Sequence, residues 1–141
     1  SDRDMKKEIS EDALTRKIIG CAMAVHSALG NGFQEVSYQR ALAIELEEAE
    51  LNFTREEEMD IFYREQKIGS RRADFFVEKQ VMIELKALIR LENVHIAQAK
   101  NYLEAYDLGI GLLINFGAAS LEFKRIFNQK APHLLVSHPK S

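Results

Sequence analysis

The 141 residues fit one domain of ordinary size, and 46% apolar with 29% charged residues excludes a disordered composition. No apolar run approaches the roughly 20 residues that span a bilayer, and the first residues lack the apolar stretch of a signal peptide, so we expect no membrane segment and a cytoplasmic location. The net charge of −3 weighs against a general nucleic-acid binder, and the single cysteine, Cys21, excludes an intrachain disulfide or a cysteine zinc cluster.

Ser10 is placed to cap a helix, with Glu11 and Asp12 at its positive end. Leu14, Ile18, Cys21, Ala22, Val25 and Leu29 follow at helical spacing, and Gly30-Asn31-Gly32 stops the run. A second helix is predicted over residues 34–50, with Tyr38, Leu42, Leu46 and Ala49 inward. Residues 59–63 read as a strand that turns through residues 66–69 into a further strand at 72–77. The next strand is residues 81–86. Glu78 and Lys79 lie between them, and neither is Gly or Asn, so a wider turn or a bulge is predicted instead of a tight primed turn. Asn93 is placed to cap a helix over residues 94–107, which Gly109 ends. Residues 111–116 form a continuous apolar run, the mark of a strand covered on both faces. Residues 121–127 complete the sheet as an edge strand. The strand–helix–strand unit from 81 to 116 requires parallel strands and a right-handed crossover. The expected organisation is a flexible segment at 1–9, one domain over 10–128 and a tail at 129–141.

The chemistry concentrates on residues 72–86. Side chains alternate along a strand, so Glu84 and Lys86 share one face and Leu85 points to the other. A hairpin would set Asp74 beside Glu84. Two carboxylates and an ammonium would then meet within otherwise apolar strands. Oxygen ligands of this kind suit a hard divalent cation. The charge distribution leaves room for an anionic substrate: eight acids and one base, Arg55, fall between residues 45 and 60, so the rest of the chain is net positive. Arg64, Lys67, Arg71, Arg72, Lys79, Lys86, Arg90 and Lys100 surround these strands in sequence, and a local positive field is expected.

The element order and these residues resemble the PD-(D/E)XK nuclease superfamily, and more closely the bacterial proteins named for a GxxExxY motif. That motif stands here as Gly32-Phe33-Gln34-Glu35-Val36-Ser37-Tyr38. The similarity extends over Arg72-Ala73-Asp74, Glu84-Leu85-Lys86-Ala87, Ala97-Gln98, Tyr102-Leu103 and residues 112–117. Ala73 stands where the superfamily's eponymous proline would be. The resemblance implies an α/β, restriction-endonuclease-like core: a mixed sheet flanked by helices in the order α-α-β-β-β-α-β-β. It implies Mg²⁺ or Mn²⁺ held by Asp74, Glu84 and the Leu85 carbonyl, with Glu35 as a further acid. Lys86 would orient or deprotonate the attacking water, or offset charge on the transition state.

Gln98 and Tyr102, four apart on one helix face, resemble the Gln-x-x-x-Tyr pair of RecB-like nucleases. They imply contacts to water or phosphate, with Tyr102 binding or stacking on the substrate. Arg72 is a candidate phosphate contact or partner of a neighbouring acid, and His26 a weaker candidate near the metal. The implied partner is nucleic acid, with DNA preferred, and a homodimer would bring a second site. The rival expectation is a nuclease-like fold used as a binding or assembly module.

Overall fold

The computed structural model describes residues 9–129. The segments expected to be a flexible start and a tail lie almost wholly outside them. Helix α1 (Glu11–Leu29) begins where Ser10 Oγ accepts the Ala13 N–H at 3.2 Å and ends at Gly30, which adopts φ 73°. Helix α2 (Glu35–Glu48) follows a short corner. Tyr38 closes that corner: its hydroxyl donates to the Gly30 carbonyl at 2.6 Å and accepts the Phe33 N–H at 3.2 Å, while its ring stacks on Phe116. Tyr38 is thus inward, as its helical spacing predicts, with its hydroxyl satisfied.

Seven strands follow: β1 (Phe53–Arg55), β2 (Glu58–Tyr63), β3 (Gln66–Arg72), β4 (Phe75–Val77), β5 (Val81–Lys86), β6 (Ile110–Asn115) and β7 (Glu122–Phe127). Helix α3 (Asn93–Ala105) links β5 to β6. The main sheet has the order β1-β4-β5-β6-β7, and only β5 and β6 run parallel. β2 and β3 form a separate two-stranded ribbon.

Helices α1 and α2 cover one face of the sheet, where Leu14, Ile18 and Leu42 bury against Phe75, Ile83, Leu85 and Ile114. Helix α3 and the ribbon cover the other, around Met82, Leu103 and Leu113. A central strand with both faces covered must be apolar throughout, and all of β6 is buried. Among the described residues no helix is long and apolar enough to cross a membrane.

The structure corrects four local expectations. β1 is an additional short strand. Residues 66–69 open β3 instead of forming a turn, because the chain reverses at Arg64 and Glu65, both left-handed (φ 49° and 65°). The connection at Glu78 and Lys79 is wider than two residues, as expected, with Gln80 as an extra residue between the paired Val77 and Val81, but Glu78 and Lys79 themselves take up the primed conformation (φ 51° and 54°) that they were expected to avoid. Its cost is offset by a distant residue: the Glu78 N–H donates to the Asn52 carbonyl at 2.8 Å and Glu78 Oε2 accepts the Asn52 N–H at 2.7 Å. The cap of α3 is Glu92, not Asn93, and the Glu92 N–H donates to His95 Nδ1 at 2.9 Å.

The end of β5 is clamped by Asn115, which is fully buried. Its Oδ1 accepts the Leu88 N–H at 2.8 Å and the Gly117 N–H at 3.1 Å, and its Nδ2 donates to the Leu88 carbonyl at 3.0 Å. A Cβ on Gly117 would overlap the backbone of Ala87 and Leu88, which has no rotamer to yield. Gly117→Ala is therefore expected to cost about 2–3 kcal/mol and to lower the melting temperature by roughly 10 °C. A thermal melt at or above the wild-type temperature would show that this approach is not tight.

Candidate active site

The ladder between β4 and β5 runs only from Val77–Val81 to Phe75–Ile83. Beyond it β5 continues for three residues, paired with β6 alone. Asp74 fills the gap. It was expected on a strand, but it lies in a bend between β3 and β4. The Asp74 N–H donates to the Ile83 carbonyl at 3.1 Å, and its Oδ2 accepts the Leu85 N–H at 2.8 Å. A short acidic side chain has replaced the missing backbone acceptor, which is why the strand breaks there.

Asp74 is thus opposite Glu84, as the hairpin register requires. The Leu85 carbonyl leaves the strand on the same side as its N–H, towards this gap. Glu84 alternates onto the face of Met82 and is partly buried, and its Oε1 has no hydrogen-bond partner among the described residues. Lys86, two residues on, follows the same face.

The electrostatics couple the group. Burial raises the Glu84 pKa to about 7; the Asp74 charge adds to this, while Lys86 and Arg71 oppose it. Asp74 is also raised by burial, against hydrogen bonds from Leu85 and Gln39 that hold it down. Glu35, in the first turn of α2, is exposed as a residue, yet its carboxyl is raised by partial burial and by Asp74, with Lys86 acting oppositely. The structure therefore gathers Glu35, Asp74, Glu84 and Lys86 within mutual electrostatic reach.

Among the described residues no three His, Cys, Asp or Glu side chains group at metal-binding spacing. What is present is a carboxylate pair with a backbone carbonyl. Magnesium-type ions, which retain several waters and take one or two carboxylates, fit such a donor set. The orphaned Glu84 oxygen is the specific vacancy in hydrogen bonding that a cation would fill.

Tyr102 is buried on α3, and its hydroxyl pKa is pushed up to about 12 by burial, Tyr106 and Glu84. Gln98 is exposed one turn earlier on the same helix. The arginine placed against them is Arg71, not Arg72. Arg71 lies 5.1 Å from the Tyr102 ring centroid, with Nη1 donating to Asn101 Oδ1 at 2.9 Å and Nη2 to the Gln98 carbonyl at 3.2 Å. Arg72 is exposed and pairs across the ribbon with Glu58 in register.

His26 bonds the Ala118 carbonyl at 3.0 Å beside Phe116, a tie between α1 and the loop after β6. The expected positive field is narrower than the sequence suggests. Lys67 pairs with Asp60 and Arg90 with Glu92, and of the eight expected cations Lys86 and Arg71 are the two whose charge acts on Glu84.

Layered helices around a mixed sheet, with acids at the rim where β4 and β5 part, define a restriction-endonuclease-like α/β fold. The family model described as the PD-(D/E)XK nuclease superfamily matches residues 12–126, and the chain belongs to that superfamily. Among solved structures it is similar to one described as the crystal structure of SSO0001, with a TM-score of 0.52 and 16% identity. That likeness covers 83% of this chain and 64% of the other, so this chain spans less than two thirds of the longer one. No curated protein sequence matches the chain.

Proposed function

We propose that this chain is a divalent-metal-dependent nuclease of the GxxExxY type that hydrolyses DNA phosphodiester bonds. The observation that carries the reading is the unpartnered Glu84 carboxylate oxygen, on the strand that bears Lys86, in a carboxyl that feels the Asp74 charge. Asp74, Glu84 and the Leu85 carbonyl would hold Mg²⁺ or Mn²⁺, with Glu35 contributing directly or through water. A divalent cation bound there supplies a Lewis acid for the phosphate and lowers the pKa of water.

The chain's own groups do the rest. The Lys86 ammonium orients the attacking water and offsets charge as the phosphorus becomes five-coordinate. Gln98 and Tyr102 would contact the substrate phosphate from α3, and Arg71 and Arg72 would supply cations along the ribbon. A homodimer would offer one such site to each strand of a duplex, in the cytoplasm where DNA is accessible.

Calorimetric titration with Mn²⁺ tests the ligand set. Wild type is expected to bind, and Asp74→Ala and Glu84→Ala to lose affinity at least tenfold; equal affinities would remove these residues as ligands. Cleavage of single-stranded, nicked and branched DNA tests the activity. Metal binding with no cleavage of any of them would favour the binding or assembly module.

A further inference from the structure

The Asp74 carboxylate is held by a chain of side chains that lies outside the GxxExxY motif. Gln39 is buried, with 7% of its surface exposed, on the second turn of α2. Its Nε2 donates to Asp74 Oδ1 at 2.7 Å, and its Oε1 accepts from Arg55 Nη2 at 3.0 Å. A guanidinium has only donors, so Arg55 dictates which end of the amide faces Asp74. The flipped amide would set oxygen against a carboxylate and NH₂ against a guanidinium, losing both bonds.

The rest of Asp74 is fixed as well. Its other oxygen accepts from Leu85, its N–H donates to Ile83, and its carbonyl accepts the Glu56 N–H at 3.1 Å. Three elements, β1, α2 and β5, thus converge on one side chain. A carboxylate has about four acceptor sites, so two donors leave it able to bind a cation.

We propose that Gln39 and Arg55 are positioning residues for the metal centre: Arg55 orients the Gln39 amide, which holds the Asp74 carboxylate as a preformed ligand beside Glu84. The proposal rests on the reading of Asp74 and Glu84 as metal ligands. Partners that orient a metal ligand matter because removing them leaves the ligand present but misdirected; such losses typically weaken metal affinity 10–100-fold.

The test compares Gln39→Met, Arg55→Met and Arg55→Lys with wild type and Asp74→Ala. Mn²⁺ affinity is read by calorimetry, the bound ion by its electron paramagnetic resonance spectrum, and the fold by melting temperature. Gln39→Met is expected to bind Mn²⁺ about 10–100-fold more weakly with a changed spectrum. Arg55→Met should shift both in the same direction but less, and Arg55→Lys, which keeps a donor, should recover most of the affinity.

A mere structural tie would lower the melting temperature and leave affinity and spectrum of the folded fraction alone, which would overturn the proposal. Arg55 is exposed, so its two variants keep the test decisive if Gln39→Met fails to fold. Unchanged affinity in Asp74→Ala would sink the ligand assignment itself, a failure distinct from that of the relay.

Discussion

Lys86→Ala is expected to slow DNA cleavage by about 10²–10³-fold while Mn²⁺ affinity at pH 8 stays within about threefold of wild type. The two measurements separate because Lys86 and the carboxylates have different tasks. Lys86 is on the same strand face as Glu84, and its charge acts on Glu35, Asp74 and Glu84 alike. An ammonium is no metal ligand. Its value rises as negative charge gathers on the phosphate, and one well-aimed donor at such a centre is worth about 3–4 kcal/mol in the transition state.

The pH matters for the control. Lys86 opposes the raised pKa of Glu84, so its loss leaves that carboxyl harder to ionise. At pH 8 Glu84 is ionised in wild type, and the affinity change is kept small. Single-turnover cleavage and calorimetry on the same samples make the comparison. Wild-type cleavage by Lys86→Ala would place the activity outside this site.

Much of the arrangement of this candidate site is legible in the sequence, because two strong periodicities place its residues. The alternation in Val81-Met82-Ile83-Glu84-Leu85-Lys86 sets Glu84 and Lys86 on one face, and a short hairpin sets Asp74 opposite Glu84. The apolar run of β6 dictates a strand covered by helices on both sides, hence the crossover through α3. What stayed hidden depends on contacts between residues far apart in sequence.

The turns at Arg64-Glu65 and Glu78-Lys79 use left-handed residues without Gly or Asn. The second is held by Asn52, 26 positions from Glu78, so no local pattern announces it. The bend at Ala73–Asp74 interrupts what reads as one strand, and Arg71, which the sequence did not single out from its neighbours, is the arginine that reaches Tyr102 and Gln98 across the fold. Gln39 did leave a trace. It is four residues after Glu35, hence on the same helix face, but an amide at that spacing gains meaning only once Asp74 and Arg55 flank it.

Without divalent cations, the wild-type protein should lose stability as pH rises from about 5 to 7, and Glu84→Gln should remove most of that slope. The sign follows from proton linkage. The unfolded Glu84 carboxyl titrates near its ordinary value of 4.5, whereas burial and Asp74 raise the folded value to about 7. Between the two, the folded state binds more protons than the unfolded, and stability falls with increasing pH. Below 4.5 both states are protonated and no penalty exists; above 7 both are ionised and the penalty is complete. Its size, discounted for partial solvent access, is roughly 2–3 kcal/mol, or about 6–12 °C in melting temperature for a domain of this length.

Asp74 and Glu35 are raised too and add to the slope with the same sign. Glu122 is lowered, by its hydrogen bonds from Asn115 and Leu91, so its stabilisation is present above its unfolded pKa and lost only under more acid conditions. Its window therefore does not overlap. Thermal melts in chelator from pH 5 to 8.5 read the slope directly. Saturating Mg²⁺ at pH 8 should then raise the wild-type melting temperature, since a ligand at 100 times its Kd contributes about 2.7 kcal/mol, and should leave Glu84→Gln nearly unmoved. Should the variant follow the wild-type curve with and without Mg²⁺, the strained carboxylate would be another residue, and the vacancy at Glu84 Oε1 would have no energetic consequence for a cation to relieve.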